Sequence, residues 1–189
     1  MDPLSGIGAI FAAFGLSGAA GLNAWIPLMA TALAGRFGWL DLGDDFDALQ
    51  STPALLGIGA ALAVDFVGDK VPGVDHVLHL IGGVVQPAAG AILFGAQTGI
   101  AGDLDPTLAL ALGAVVAGTV HAGRAGARPI STASTGGIGN PVLSLVEDVG
   151  AVGLTALAFL LPLLALVAVV LVVVGLVRVW LRVRRTAIR

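Results

Sequence analysis

The sequence predicts an all-α, polytopic membrane helical bundle with about six membrane segments, some of them broken or re-entrant. Three observations lead there. Of 189 residues, 57% are hydrophobic and 11% charged, with a mean hydropathy of +1.01, whereas a soluble domain is about 25% charged. Apolar runs recur at or above the roughly 20 residues that a helix needs to cross a bilayer. Glycine supplies 28 residues, about twice its usual share, and small residues let membrane helices approach closely. Residues 1–189 read as one membrane domain, with polar loops at 35–52 and 123–140 and an Arg-rich tail at 178–189.

Composition also excludes. There is no cysteine, so no disulfide, thiolate metal site or thiol chemistry. Aromatics are 5%, with no Tyr, which leaves Trp25, Trp39 and Trp180 as interface anchors. Met1-Asp2-Pro3 lacks the positive start of a signal peptide and the following apolar run is too long, so the first segment is expected to be retained.

Leu4 to Ala34 would be about 46 Å long as one helix, more than the hydrocarbon core of about 30 Å. Gly15, Gly18, Gly21, Asn23 and Pro27 interrupt it, so a broken helix is expected. The loop 35–52 holds Asp41, Asp44, Asp45 and Asp47 against Arg36 alone. Pro53 to Gly68 is a short second helix, with Pro53 at its first position and Ser51 or Thr52 as its cap. Leu78 to Ile100 is a third, broken at Gly82-Gly83 and Gln86-Pro87. After an acidic turn with Asp103 and Asp105, Thr107 to Val120 is a short fourth helix. Pro129 to Asn140 is Ser/Thr/Gly-rich and reads as a linker or a re-entrant loop. Pro141 to Trp180 would be about 60 Å as one helix, so it divides. Either it turns near Leu161-Pro162, or a half-helix bearing Glu147-Asp148 precedes one long tilted helix.

Five of the nine basic residues, Arg178, Arg182, Arg184, Arg185 and Arg189, lie in the last twelve positions. Positive charge favours the cytoplasmic side. The C-terminus is therefore expected in the cytoplasm, the 35–52 loop outside, and the N-terminus inside if Leu4–Ala34 crosses once. The setting implied is a bacterial inner membrane.

The chemistry gathers in Val64 to Leu80, VDFVGDKVPGVDHVLHL. It places Asp65, Asp69, Lys70, Asp75, His76 and His79 directly after an uncharged apolar run. Ionisable groups at membrane depth are costly and mark function. Asp65 and Asp69, at i and i+4, share a helix face, and Asp75 and His79 repeat the spacing. Asp65, Asp69, Glu147 and Asp148 offer oxygens to a hard cation, with Asn23 and Asn140 carbonyls added. Asp65, Asp69 and Glu147 are the candidate metal set. Asp75, His76 and His79 would suit a transition metal better. Asp65, Asp69 and Glu147 are expected to converge on one polar cavity, and the breaks at Asn23 and Asn140 to face each other. Gly21-Leu22-Asn23-Ala24 is echoed by Gly137-Ile138-Gly139-Asn140-Pro141, each followed by an acidic pair. Arg124 and Arg128 read as topology charges or lipid-headgroup contacts.

The stretches GLSGAAGLNAWIPL, DFVGDKVPGVDHV, QPAAGAILFGA and STGGIGNPVLSLVED together resemble the domain-of-unknown-function family four-one-two-six, small multipass membrane proteins of bacteria and plants. Asp65 stands where that family usually has Glu. The resemblance implies class and topology and assigns no activity. Asp65-Phe66-Val67-Gly68-Asp69-Lys70 also resembles the Glu-x-Gly-Asp-Lys/Arg-Thr/Ser signature of calcium/manganese–proton exchangers. It departs by Asp for Glu, one inserted residue, Val71 for Thr/Ser, and the lack of a second copy.

These readings favour a small transporter or channel for a cation, proton-coupled, working through intramembrane carboxylates. The alternatives are a carrier of an anionic or lipid substrate using Lys70, Arg124 and Arg128, and a non-transporting accessory subunit of a larger membrane complex. An enzyme is not expected: Ser131, Ser134 and Ser144 have no recognisable base, His121 stands alone, and no nucleotide fingerprint occurs. No cofactor beyond a bound cation is implied. The expected partners are the lipid bilayer, further copies of the chain or a larger complex, and not nucleic acid.

Overall fold

The computed structural model describes residues 3–68, 74–98, 104–136 and 138–187. Every regular element among them is helical: α1 (Pro3–Leu22), α2 (Trp25–Arg36), a 3₁₀ segment (Asp44–Gln50), α3 (Thr52–Gly68), α4 (Val74–Thr98), α5 (Pro106–Thr135), α6 (Asn140–Leu160) and α7 (Pro162–Ala187). Three helical stretches are long and apolar enough to cross a membrane: Val77–Gln97, Pro106–Ala133 and Asn140–Leu160. A fourth follows if the 3₁₀ segment and α3, bent by 61°, count as one span. Among the described residues α1 and α7 add the shorter apolar helices Gly6–Leu22 and Pro162–Arg178, and α2 is only about 18 Å long.

The breaks follow from local chemistry. The first apolar run divides at Asn23-Ala24 as expected. The Asn23 side-chain carbonyl accepts from the Trp25 and Ile26 N–H groups at 3.0 and 3.4 Å, which restarts the helix as α2. Ser51 Oγ accepts from Ala54 N at 3.3 Å and starts α3. Asp105 accepts from Leu108 N at 3.1 Å and Pro106 occupies the first turn, so α5 begins there. The run after Pro141 divides at Leu161, before Pro162, where the ring bars the preceding residue from helix. This is the two-helix alternative.

Two expectations fail. α4 runs unbroken through Gly82-Gly83 and Pro87, because packing against α1 and α5 outweighs the weak helix propensity there. α5 does not stop at Val120. It continues over the segment read as a polar loop, 123–140, as far as Thr135, and ends at Gly136 with φ +64°. Thr135 Oγ1 and Thr119 Oγ1 each satisfy themselves on the carbonyl four residues earlier, at 2.7 Å, which lets Ser/Thr-rich sequence stay helical.

The inside of the bundle is small and the outside large. α1 packs against α2, α4, α5, α6 and α7, presenting the buried Ala13, Leu16, Ser17, Ala19 and Ala20. Ser17 Oγ donates to the Gly90 carbonyl at 2.9 Å. α4 and α5 touch backbone to backbone, since a Cβ on Gly90 would come within 2.6 Å of the Gly113 carbonyl oxygen. Val84, Val115, Val149, Leu160 and Leu171 are all exposed.

The chain reverses at Asn23. Arg36 meets the Gln50 carbonyl, Gly59 lies beside Met29, and Asn23 bonds Asp65, so α2 and α3 are antiparallel. Phe14 stands edge-on to Phe94 at 5.0 Å, and Phe46 lies against the adjacent Gly95. The 3₁₀ segment has therefore returned to the level of Phe14. α1 and α2 form a helical hairpin whose tip, Asn23-Ala24, is inside the bundle. The start of α1 and the acidic 35–52 loop consequently lie at the same end. This overturns the expectation of an N-terminus at the opposite end, which assumed a single crossing.

Candidate functional site

Asn23 is 3% exposed. Because its carbonyl oxygen is turned back to cap α2, its amide nitrogen points away from that helix. The Nδ2 group donates to Asp65 Oδ2 and to Asp148 Oδ1, each at 2.8 Å. A neutral amide has two donor hydrogens, and both are used. Asp65 comes from the last turn of α3 and Asp148 from the third turn of α6. One side chain at the hairpin tip thus joins α1, α3 and α6.

Arg124 supports the tip from α5. Its Nη1 donates to the carbonyl of Leu22, one of the acceptors that the end of α1 leaves unsatisfied. Its Nε lies 2.8 Å from Glu147 Oε2, an ion pair rather than an aligned hydrogen bond. Both side chains are buried. Glu147 precedes Asp148, so two consecutive residues of α6 serve two partners.

Among the described residues the linked group holds three carboxylates, the buried Glu147 and the half-buried Asp65 and Asp148, together with the Arg124 guanidinium. Buried charges need partners. Carboxylates gathered at this depth are groups at which a proton or a cation can bind. Two carboxylate oxygens already face one point, the Asn23 nitrogen, and oxygen ligands converging in this way suit a hard cation.

A second polar group lies one helical turn away. The His79 ring on α4 and the His121 ring on α5 have centroids 5.1 Å apart, with planes inclined by 36°. Gln86, on α4, is buried close by. A Cβ on Gly82 would lie 3.3 Å from His121 Cε1 and 3.4 Å from the Gln86 amide.

Of the residues singled out in the sequence, the structure brings Asn23, Asp65, Glu147 and Asp148 together. Glu147 and Asp65 are joined through Asn23 and Asp148. Asp69 and Lys70 lie outside the described residues. Asp75 and His76 fall in the first turn of α4, their side chains outside the described set. His79 pairs with His121. Asn140 does not face Asn23: it exchanges hydrogen bonds with Thr132 at 3.1 and 3.5 Å across the α5–α6 turn, eight residues before Asp148. Among the described residues no three His, Cys, Asp or Glu side chains group as a metal set.

Sequence reasoning read Arg124 as a topology charge or lipid-headgroup contact, or as part of an anion site with Lys70 and Arg128, and did not place it beside Glu147. It is 8% exposed. With α5 expected to end at Val120, Arg124 fell in a loop. The spacing His121-x-x-Arg124 on one continuous helix was the signal for a shared face.

No curated protein matches the chain, and no solved structure does. The family described as Domain of unknown function (DUF4126) matches residues 10–182. That match takes in the hairpin tip, the α3–α4 segment and the acidic pair of α6, and the chain belongs to this family.

Proposed function

We propose that the chain is an integral membrane protein that moves a cation through the bundle in exchange for protons. Asp65 and Asp148 are its cation-binding carboxylates, and Asn23 fills their common point when the site is empty. The observation that carries this reading is the gathering of three carboxylates at the hairpin tip, Glu147 buried and Asp65 and Asp148 half-buried, with Asp65 and Asp148 converging on the Asn23 amide. Such a group offers a cation or a proton a place between helices.

The competing reading, an anion carrier using Arg124, is less favoured because that guanidinium is already engaged by Glu147 and the Leu22 carbonyl. The exposed apolar faces of α6 and α7 fit lipid. Acidic Asp41, Asp44, Asp45, Asp47 and Asp105 lie at one end of the bundle, while α7 runs toward the other with its Arg-rich sequence. By the preference of positive charge for the cytoplasm, the C-terminus is cytoplasmic in a bacterial inner membrane. Counting the α1–α2 hairpin as one re-entrant segment beside α3 to α7 gives six membrane segments.

The test is equilibrium binding of Na⁺, Ca²⁺ and Mn²⁺ to purified protein in lipid nanodiscs, with and without Asp65→Asn and Asp148→Asn. Saturable binding of one of these ions that either substitution removes supports the reading. Binding unaffected by both substitutions, or none with any of the three ions, counts against it.

A further inference from the structure

We propose that His121, His79 and Gln86 form a proton-binding station between α4 and α5, in which the two imidazoles share one proton. It rests on the exchange reading above and names the groups that carry its proton half.

The geometry is that of a built site. The imidazole centroids are 5.1 Å apart. His121 is 8% exposed and Gln86 7%. The Gln86 side-chain carbonyl, Oε1, is buried without a hydrogen-bond donor among the described residues. Gly82 makes the room, since a Cβ there would lie 3.3 Å from His121 Cε1 and 3.4 Å from the Gln86 amide. A buried acceptor without a donor is costly. An imidazolium has N–H at both ring nitrogens, whereas a neutral imidazole has one, so protonation supplies the missing donor. Imidazole is also the side chain whose charge ordinarily changes near neutral pH. Two charged rings this close would repel, which limits the pair to one proton.

On α5 itself Arg124 and Arg128 follow His121 by about one and two turns, and α4 carries Asp75 and His76 about one turn before His79. α6 brings Glu147 and Asp148, and α3 brings Asp65. α1 has no titratable side chain in its sequence. α7 meets α5 with Leu176 at Gly123, and its Arg178 is exposed. α2 offers only Arg36, and the 3₁₀ segment Asp44, Asp45 and Asp47, all exposed. A positive charge on His121 lies one helical turn from Arg124 on α5. It repels the guanidinium that holds Glu147 and the Leu22 carbonyl, and so couples proton uptake to the hairpin tip.

The test is a histidine titration of the full chain in nanodiscs, followed by NMR of ¹⁵N-labelled imidazoles, with no ion gradient. His79 and His121 should titrate together as one proton, and His76 separately. Gln86→Leu should move the midpoint of the pair and leave His76 unmoved. If Gln86→Leu does not fold, His79→Gln serves: the His121 midpoint should move. Independent one-proton curves for His79 and His121, or a His121 curve indifferent to both substitutions, would overturn the station. The titration needs no transport. Coupled titration without cation binding removes the exchange reading alone, whereas cation binding with independent titrations removes only this inference.

Discussion

Asn23 and Asp148, 125 residues apart in sequence, are joined by a 2.8 Å hydrogen bond from the Asn23 amide to Asp148 Oδ1. The same nitrogen holds Asp65 at 2.8 Å, and the oxygen of the same side chain caps α2. A single residue therefore ends one helix, starts the next and fixes two carboxylates from elsewhere in the fold.

Asn23→Leu removes both donors and the cap while keeping similar bulk. A cap is worth about 1 kcal/mol, and each hydrogen bond to a charged group about 1.5–3 kcal/mol. The variant should lose about 3–5 kcal/mol by these values, allowing for non-additivity. Reversible unfolding in detergent measures it, and an unchanged midpoint would show that the bonds contribute nothing net.

Arg124→Met leaves Glu147 buried without its cation. Breaking one side of a buried pair costs about 3–5 kcal/mol, whereas replacing both partners by neutral groups is often close to neutral. The double variant Arg124→Met/Glu147→Gln should therefore recover much of the loss. The Leu22 carbonyl stays without its donor, so recovery should be incomplete. Equal destabilisation in the single and double variants would place the cost on the Leu22 contact instead.

Gly113→Val should disrupt the α4–α5 contact. Any Cβ there meets the Gly90 carbonyl oxygen and lies 2.6 Å from Phe94 Cβ. Overpacking of this kind costs about 1–3 kcal/mol. Gly153→Ala, where nothing lies within 4 Å of the added carbon, should be neutral or slightly stabilising. Similar losses at both positions would contradict the close approach.

Single cysteines at Ser5 and Asp45 should label from the same side of a sealed vesicle, and one at Thr186 from the other. The hairpin at Asn23 requires the first pair to agree, and the charge asymmetry sets the sides. Labelling of Ser5 and Thr186 from one side would mean that the first apolar stretch crosses once.

Much of the fold was legible. The break at Asn23, the cap at Ser51 and the division at Leu161-Pro162 each rest on residues whose backbone preference is strong and local. The failures came where packing overrules such preference. Gly82-Gly83 and Pro87 read as breakers, yet α4 stays one continuous helix between α1 and α5. Pro129 and the Ser/Thr run read as a loop, yet α5 reaches Thr135. Asp65, Glu147 and Asp148 stood out because carboxylates are rare in apolar sequence. Asn23, the partner shared by Asp65 and Asp148, drew notice only as a polar residue beside a break. That the hairpin folds back to bring it to Asp148 is a property of the tertiary fold, which spacing does not encode. Arg124 was hidden by the same error that shortened α5.

The proposed exchanging cation site at Asp65 is tested most directly by flux. Proteoliposomes holding the wild-type chain, with a pH gradient and an internal pH dye, should take up the cation that binds in nanodiscs while releasing protons. Asp65→Asn should abolish both movements while the protein remains folded and inserted. Cation uptake and proton release unchanged in Asp65→Asn would contradict the account.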